Sequence, residues 1–253
     1  LLSSFGFGAD CVSGNEISRA LETGFSAAHI AFAGVGKTDE EINLALKHDI
    51  FSFNCESIEE MEVINELAKS SSKVAKVAIR FNPNVNAKTH HYITTGLEEN
   101  KFGINRWELD DVLEALQRLY NIELVGLHFH IGSQITDLNV FRSLCLRVNE
   151  IQKWFKERNV HIDHINVGGG LGIDYDSPDE NPVPDFRTYF SIFHQYLELL
   201  PHQKVHFELG RAVVAQAGLA SGVVASERSH SKVLAAFRDV VSTPSKSTVR
   251  VFA

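Results

Sequence analysis

Methionine, cysteine and positive charge are all in short supply in this sequence. Met61 is the only methionine and the chain opens Leu1-Leu2-Ser3-Ser4, so it is read as a fragment with an upstream segment expected. The three cysteines, Cys11, Cys55 and Cys145, are odd in number and widely spaced. That pattern excludes a disulfide framework and points to a reducing, cytoplasmic setting. Lys and Arg total 24 against 32 Asp and Glu, a net charge of −8, so no basic stripe is available to grip nucleic acid. No apolar run is long enough for a membrane span: the best stretch, Ala212 to Ala225, is interrupted by Gln216 and Ser221. No cationic segment followed by an apolar one opens the chain, so no signal peptide is expected. What remains is 44% hydrophobic and 22% charged residues, a composition that can bury a core and is too apolar for disorder.

Short apolar runs alternate with helical patterns along most of the 253 residues. The runs are Gly6–Val12, His29–Ala33, Ile50–Phe53, Val74–Phe81, Leu124–His130, His164–Val167 and Val205–Leu209. Each is rich in Val, Ile or Phe and bounded by Gly, Asn or Ser, as buried parallel strands are. Between them, sets such as Ile42, Ala45, Leu46 and Val112, Leu113, Leu116, Leu119 fall at helical spacing. Ser13…Glu16, Thr38…Glu41 and Ser57…Glu60 each place a hydroxyl three residues ahead of a carboxylate, the spacing of a capping box. Gly24 stands where the first helix should stop.

The pattern predicts an α/β fold, a (β/α)8 TIM-type barrel over residues 1–222 that is one strand short. An open doubly wound sheet is the alternative. The polar stretch 223–253 reads as a tail without a clear period. A barrel lacking its first strand would leave unpaired edges on Gly6–Val12 and Val205–Leu209, and such edges invite aggregation.

Barrel chemistry sits at the C-terminal ends of strands. The fifth run ends in His128-Phe129-His130, with Ile131, Gly132 and Ser133 following; alternation puts both imidazoles on one face. They read as hydrogen-bonded interior histidines, as a metal pair, or as a flat ring against an aromatic cofactor. Gly168-Gly169-Gly170 directly after the sixth run is either a tight turn or a backbone cradle for an anion such as phosphate. At the last run's end, Glu208 could hold a pyridinium N–H, and Arg211 could fork onto phosphate or carboxylate oxygens; a local ion pair is the plainer reading. Arg80, a charge within an apolar run, needs a carboxylate partner, and Asp10 is a candidate. Lys37 follows the second run and reads as a solvated loop lysine.

Taken together these segments resemble a known family. Gly6-Phe7-Gly8-Ala9-Asp10-Cys11-Val12-Ser13, the His-Ile-Gly-Ser of 130–133, Gly168-Gly169-Gly170 and Glu208-x-Gly210-Arg211 stand in the order seen in pyridoxal-phosphate decarboxylases with an alanine-racemase-like barrel. Asn82-Pro83-Asn84-Val85-Asn86-Ala87-Lys88-Thr89-His90, Tyr92-Ile93-Thr94-Thr95-Gly96 and Lys101-Phe102-Gly103-Ile104 are similar to the diaminopimelate decarboxylases within it. The resemblance covers about residues 5–218. It implies that His130 stacks on the pyridine ring and that Ser133 and Gly168 to Gly170 contact the phosphate. Glu208 would bind the pyridine nitrogen, Gly210 and Arg211 would line the phosphate, Arg211 would also reach substrate carboxylate, and Asp10 with Arg80 would form a supporting pair. The implied reaction is loss of carbon dioxide from meso-diaminopimelate to give L-lysine, by a homodimer.

Three departures accompany it. The family's Schiff-base lysine lies upstream of Asp10, outside this sequence, so the chain alone is expected to be inactive. Leu209 stands where the family has proline. Beyond Gly218 the likeness stops, and the family's C-terminal β-domain, with its Cys-Glu segment and substrate-binding Arg and Tyr, has no counterpart. Other readings are a non-catalytic binding or regulatory homologue, a related decarboxylase of arginine, ornithine or carboxynorspermidine, and a metal-dependent barrel hydrolase using His128 and His130.

Overall fold

The computed structural model describes residues 2–85, 102–177, 180, 181, 183–215 and 249–252. Eight parallel strands follow one another in chain order around a single sheet. They are β1 (Ala9–Cys11), β2 (Ile30–Phe32), β3 (Ser52–Cys55), β4 (Ala75–Phe81), β5 (Ile122–Phe129), β6 (His164–Asn166), β7 (Lys204–Glu208) and β8 (Val249–Phe252). The helices are α1 (Gly14–Glu22), α2 (Asp39–His48), α3 (Ile58–Ser70), α4 (Leu109–Arg118), α5 (Asn139–Glu157), α6 (Phe186–Tyr196) and the short α7 (Gly210–Val214). Strictly sequential parallel pairing with helical crossovers is a barrel winding; a doubly wound sheet would reverse its strand order. No helix among the described residues is long and apolar enough to cross a membrane.

The expected missing stave is filled from an unexpected direction. β8, from the polar tail, pairs with β7 from Val205↔Val249 to Glu208↔Phe252. It meets the start of β1 through the parallel bridge Gly8↔Phe252, where Gly8 N–H donates to Val251 O at 2.8 Å. Gly8 permits this approach, because a Cβ there would lie 2.5 Å from the Phe252 ring and 2.6 Å from His29 O. Both edges that the strand count left open are therefore bonded. A four-residue strand after so polar a stretch carries no periodicity, which is why the sequence pattern did not reveal it.

The helix starts follow the hydroxyl–carboxylate spacing, with one refinement. Of these three starts, Thr38 and Glu41 alone close a reciprocal capping box. At Ser13 and Ser57 the hydroxyl accepts from the N–H of Glu16 and Glu60 as expected, but each carboxylate reaches one residue further back, to Val12 N–H and Glu56 N–H. Glu41 also accepts from Gly14 N–H at 2.7 Å, tying the start of α1 to α2.

Side chains alternate across the sheet. Cys11, Ile30, Phe32, Phe53, Val77, Ile79, Leu127, Phe129, Ile165, Val205, Phe207 and Val251 join the apolar cluster between strands and helices. Phe207 and the α6 rings of Tyr189, Phe190 and Phe193 meet edge to face. The intervening positions turn inward and are polar or small: Asp10, Ala31, Asn54, Ala78, Arg80, Gly126, His128, Asn166, His206 and Glu208. At the N-terminal end this interior is closed by Phe51, His164, His206 and Phe252, with His164 Nδ1 2.8 Å from His206 Nε2.

Candidate functional site

The opposite, C-terminal end of the interior gathers most of the charged side chains singled out from the sequence. Glu208, at the end of β7, is the centre. His128 Nε2, from β5, lies 3.1 and 3.2 Å from its two oxygens, and Asn166 Nδ2, from β6, donates to it at 2.8 Å. Burial alone would raise the Glu208 pKa, but the His128 imidazole and the His128 and Asn166 hydrogen bonds outweigh it and hold the carboxyl down at about 2. Glu208 is an anion at any physiological pH.

His130 follows the end of β5. Burial pushes its imidazole down to about 4 against the pull of Glu208, so it stands neutral. Gly169 N–H points at His130 Nδ1 over a long 3.5 Å. The glycine run explains itself sterically. A Cβ at Gly168, Gly169 or Gly170 would lie 2.3 Å from Phe129 O, 1.8 Å from Glu208 O and 2.5 Å from Gly132 O. Gly168 and Gly170 moreover have φ of +71° and +99°. The three glycines thus press the end of β6 between the ends of β5 and β7, which brings His130, Gly169 and Glu208 into one contiguous patch.

Arg211, at the start of α7, forms no ion pair with Glu208. Its guanidinium donates to Ser133 Oγ at 2.9 Å and to Tyr175 Oη at 2.7 Å, and is exposed. Gly210, beside it, has open space where a Cβ would stand. Leu209 is buried, and its N–H donates to Phe252 O at 3.1 Å, a bond that a proline at this position could not make.

Two sequence expectations need correction. Arg80 does not pair with Asp10; its guanidinium meets Glu56 Oε1 at 2.5 Å, with both side chains nearly buried. Glu56 follows β3 directly, one strand away, and so reaches Arg80 first. Asp10 is left with a buried Oδ1 lacking a partner. Burial, then Glu208 and Glu16, push its carboxyl well above the ordinary range, against weaker pulls from Arg80 and Lys37. Nor is Lys37 solvated. Only 2% of its side chain is exposed, and Nζ is held by Gly34 O, Asn54 O and Glu60 Oε1 at 2.7, 2.9 and 2.5 Å.

His128 and His130 do not converge with a third ligand on a metal centre among the described residues. Among the described residues, buried Asp10 Oδ1, Asn54 Nδ2, Glu56 Oε2 and His128 Nδ1 all lack hydrogen-bond partners. Such atoms are rare in a finished interior and mark a place where a polar ligand completes the bonding. An anionic carboxylate, a neutral imidazole and an exposed Arg–Ser–Tyr cluster at one end fit a phosphorylated heteroaromatic ring. Sequence reasoning missed Asn166, Glu56 and Tyr175. Asn166 shares the inward parity of Glu208 and stands two residues before the glycines, so alternation could have found it. Tyr175 lies in a loop with no periodic signal. Residues 86–101, which carry part of the resemblance, lie outside the described residues.

Comparison with known proteins adds four findings. Residues 1–215 match the family described as "Pyridoxal-dependent decarboxylase, pyridoxal binding domain". The chain is 56% identical over 218 residues to the diaminopimelate decarboxylase of Bacteroides thetaiotaomicron, covering 86% of this chain and 56% of that protein. Among solved structures it resembles the Helicobacter pylori diaminopimelate decarboxylase complexed with L-lysine (38% identity, TM-score 0.76, 85% of this chain and 53% of that one). The crystal structure of diaminopimelate decarboxylase from m. jannaschi gives 36% identity and TM-score 0.72 over 85% of this chain and 50% of that one. The chain spans about half the length of the curated relatives it matches.

Proposed function

Since the chain belongs to the family of pyridoxal-dependent decarboxylases, through their pyridoxal binding domain, we propose that it is the cofactor-binding barrel of a diaminopimelate decarboxylase. The observation that carries this reading is the Glu208 carboxylate, held ionised by His128 and Asn166 beside neutral His130 and the three glycines. Pyridoxal phosphate, when bound, supplies a conjugated ring that takes up the electron pair left as a carboxylate departs as carbon dioxide.

The chain's own groups have distinct tasks in that setting. Glu208 holds a proton on the pyridine nitrogen, because a carboxylate this acidic favours a positively charged partner over its own protonation. His130, uncharged, offers a flat face to the ring without repelling that positive charge. Ser133, Arg211 and the Gly168–Gly170 turn would hold the phosphate, with Gly210 leaving room beside them. Arg211 can also meet a substrate carboxylate through its fork of donors. Asp10, the raised carboxyl, and Arg80, anchored by Glu56, wall the site on the β1–β4 side. The same reading makes the whole protein a cytoplasmic homodimer acting on a small amino acid, with no nucleic-acid or membrane partner.

Lys37 is fully engaged in holding the β2, β3 and α3 ends together, so we expect the cofactor to bind this chain without covalent attachment. Equilibrium dialysis against pyridoxal phosphate should show one saturable equivalent, with affinity at least tenfold weaker in Arg211→Ala. Absence of saturable binding overturns the proposal. Lysine formed from meso-diaminopimelate by the chain alone would overturn the non-covalent part.

A further inference from the structure

The end of the barrel remote from this site carries a second constellation. His161 and Asp163 stand on the segment entering β6, and His202 on the turn entering β7. One ligand atom from each of the three lies within 4.8 Å of the others. His161 Nε2 is 3.0 Å from Asp163 Oδ1, and the His161 and His202 rings stack at 4.5 Å between centroids. Ligand atoms at zinc distances span a tetrahedral edge of about 3.3 Å, so the first pair is already near coordination spacing.

The backbones that carry these side chains are fixed. Asp163 N–H donates to Val125 O, and Asp163 O accepts from Lys204 N–H, locking it between β5 and β7. Gln203, buried beside His202, donates from Nε2 to Ile162 O at 3.0 Å and accepts from Leu200 N–H at 2.8 Å. Ile162 and Gln203 turn into the core, which sends their neighbours His161, Asp163 and His202 outward together. All but Asp163 border a groove between α5 and the α6–β7 connection, lined also by Lys153, Lys156, Glu157 and Glu198. The two lysines and two glutamates balance, so the local charge offered to a cation is that of Asp163.

We propose that His161, Asp163 and His202 form a three-ligand site for a borderline divalent transition ion of the zinc type, with its fourth position open to the groove. Two imidazoles with one carboxylate suit zinc rather than magnesium or calcium, which take oxygen ligands. The site is independent of the cofactor reading, because it lies at the other end of the strands and shares no residue with it.

Calorimetric titration of the chelator-stripped chain with zinc chloride alone tests it. One equivalent should bind, and affinity should fall at least tenfold in His202→Ala and in Asp163→Asn, while His48→Ala at another exposed histidine changes nothing. The altered side chains are at the surface, so unchanged melting curves are expected; if His202→Ala melts early, His202→Gln replaces it. Visible absorption of the cobalt-loaded chain should carry the signature of four-coordinate nitrogen and oxygen ligation and lose it in the same variants. No stoichiometric binding, or binding that these variants leave intact, overturns the proposal.

Discussion

The two faces of one sheet differ sharply. Outward, strand residues such as Phe53, Ile79, Leu127 and Phe207 are apolar, buried and interlocked with the helices. Inward, their immediate neighbours Asn54, Arg80, His128 and Glu208 are polar or charged. Barrel interiors are ordinarily packed with Val, Ile and Leu, so this one has exchanged packing for chemistry. The lesson is that adjacent residues on a strand answer to different demands, stability on one face and ligand on the other. Where the two demands meet, at the glycine run, a change should damage both at once.

Gly169→Ala is therefore expected to have the largest effect. Its Cβ would overlap Glu208 O at 1.8 Å, and because that oxygen belongs to the backbone it cannot swing aside. A loss of roughly 4 kcal/mol or more is expected, at the limit of single substitutions, together with loss of pyridoxal phosphate binding. A denaturant midpoint within experimental error of the parent's would show that the strand ends are not packed this way.

Next comes Phe207→Ala, which separates the faces. Removing this ring from the Tyr189–Phe190–Phe193 cluster should cost about 3–5 kcal/mol. Below the melting transition, the folded fraction should bind cofactor within about twofold of the parent, 0.4 kcal/mol on the scale of tenfold per 1.4 kcal/mol. Dialysis at low temperature measures that directly. A tenfold loss would mean that the two faces are not separable.

Glu208→Gln makes the converse test, in which the largest change falls on the ligand. The buried carboxylate facing His128 is lost, and cofactor affinity should fall at least tenfold, as expected when one side of a buried, charge-assisted contact is removed. The sign of its pH dependence follows from the lowered pKa. Its stabilisation is full above the ordinary Glu range near 4.5 and is lost as pH falls toward about 2. Acid titration of the parent should show that loss, and the Gln variant should not.

How much of this was legible depends on the face. The strands and the two-residue alternation are written plainly, so seven staves and the inward parity of His128 and Glu208 could be read directly. The motifs do stand at strand ends: His130 and Gly168–Gly170 come just past β5 and β6, and Glu208 closes β7. Pairings across the interior were not legible. Arg80 could be seen to need a carboxylate, but the choice between Asp10 and Glu56 depends on which strand end lies nearest, and that is set by register. Lys37 looked like a loop residue because nothing in Gly34-Val35-Gly36-Lys37 reveals that three oxygens from other elements surround its ammonium. β8 was hidden for the same reason: a short strand is recognised by its neighbours, and Val249–Phe252 owes its place to Glu208, Leu209 and Gly8.

The smallest effect, and the one of opposite sign, belongs to Asp10. Its buried carboxyl is raised by desolvation and by Glu208, so folding favours the neutral acid. A group whose folded pKa is raised stabilises fully below its unfolded pKa, near 3.8, and loses that contribution as pH rises through the folded value. At neutral pH the parent therefore carries a penalty for either ionising Asp10 beside Glu208 or holding its proton there. Asp10→Asn is nearly the same shape and cannot ionise, so it should melt slightly higher than the parent at pH 7 to 8. The difference should close as pH drops below about 4, where the parent's acid is also neutral in both states. Paired thermal melts across that range measure it. A gap that widens in acid would mean that Asp10 is ionised in the fold and held by Arg80 after all, and that the inward face is better balanced in charge than its unpaired oxygens indicate.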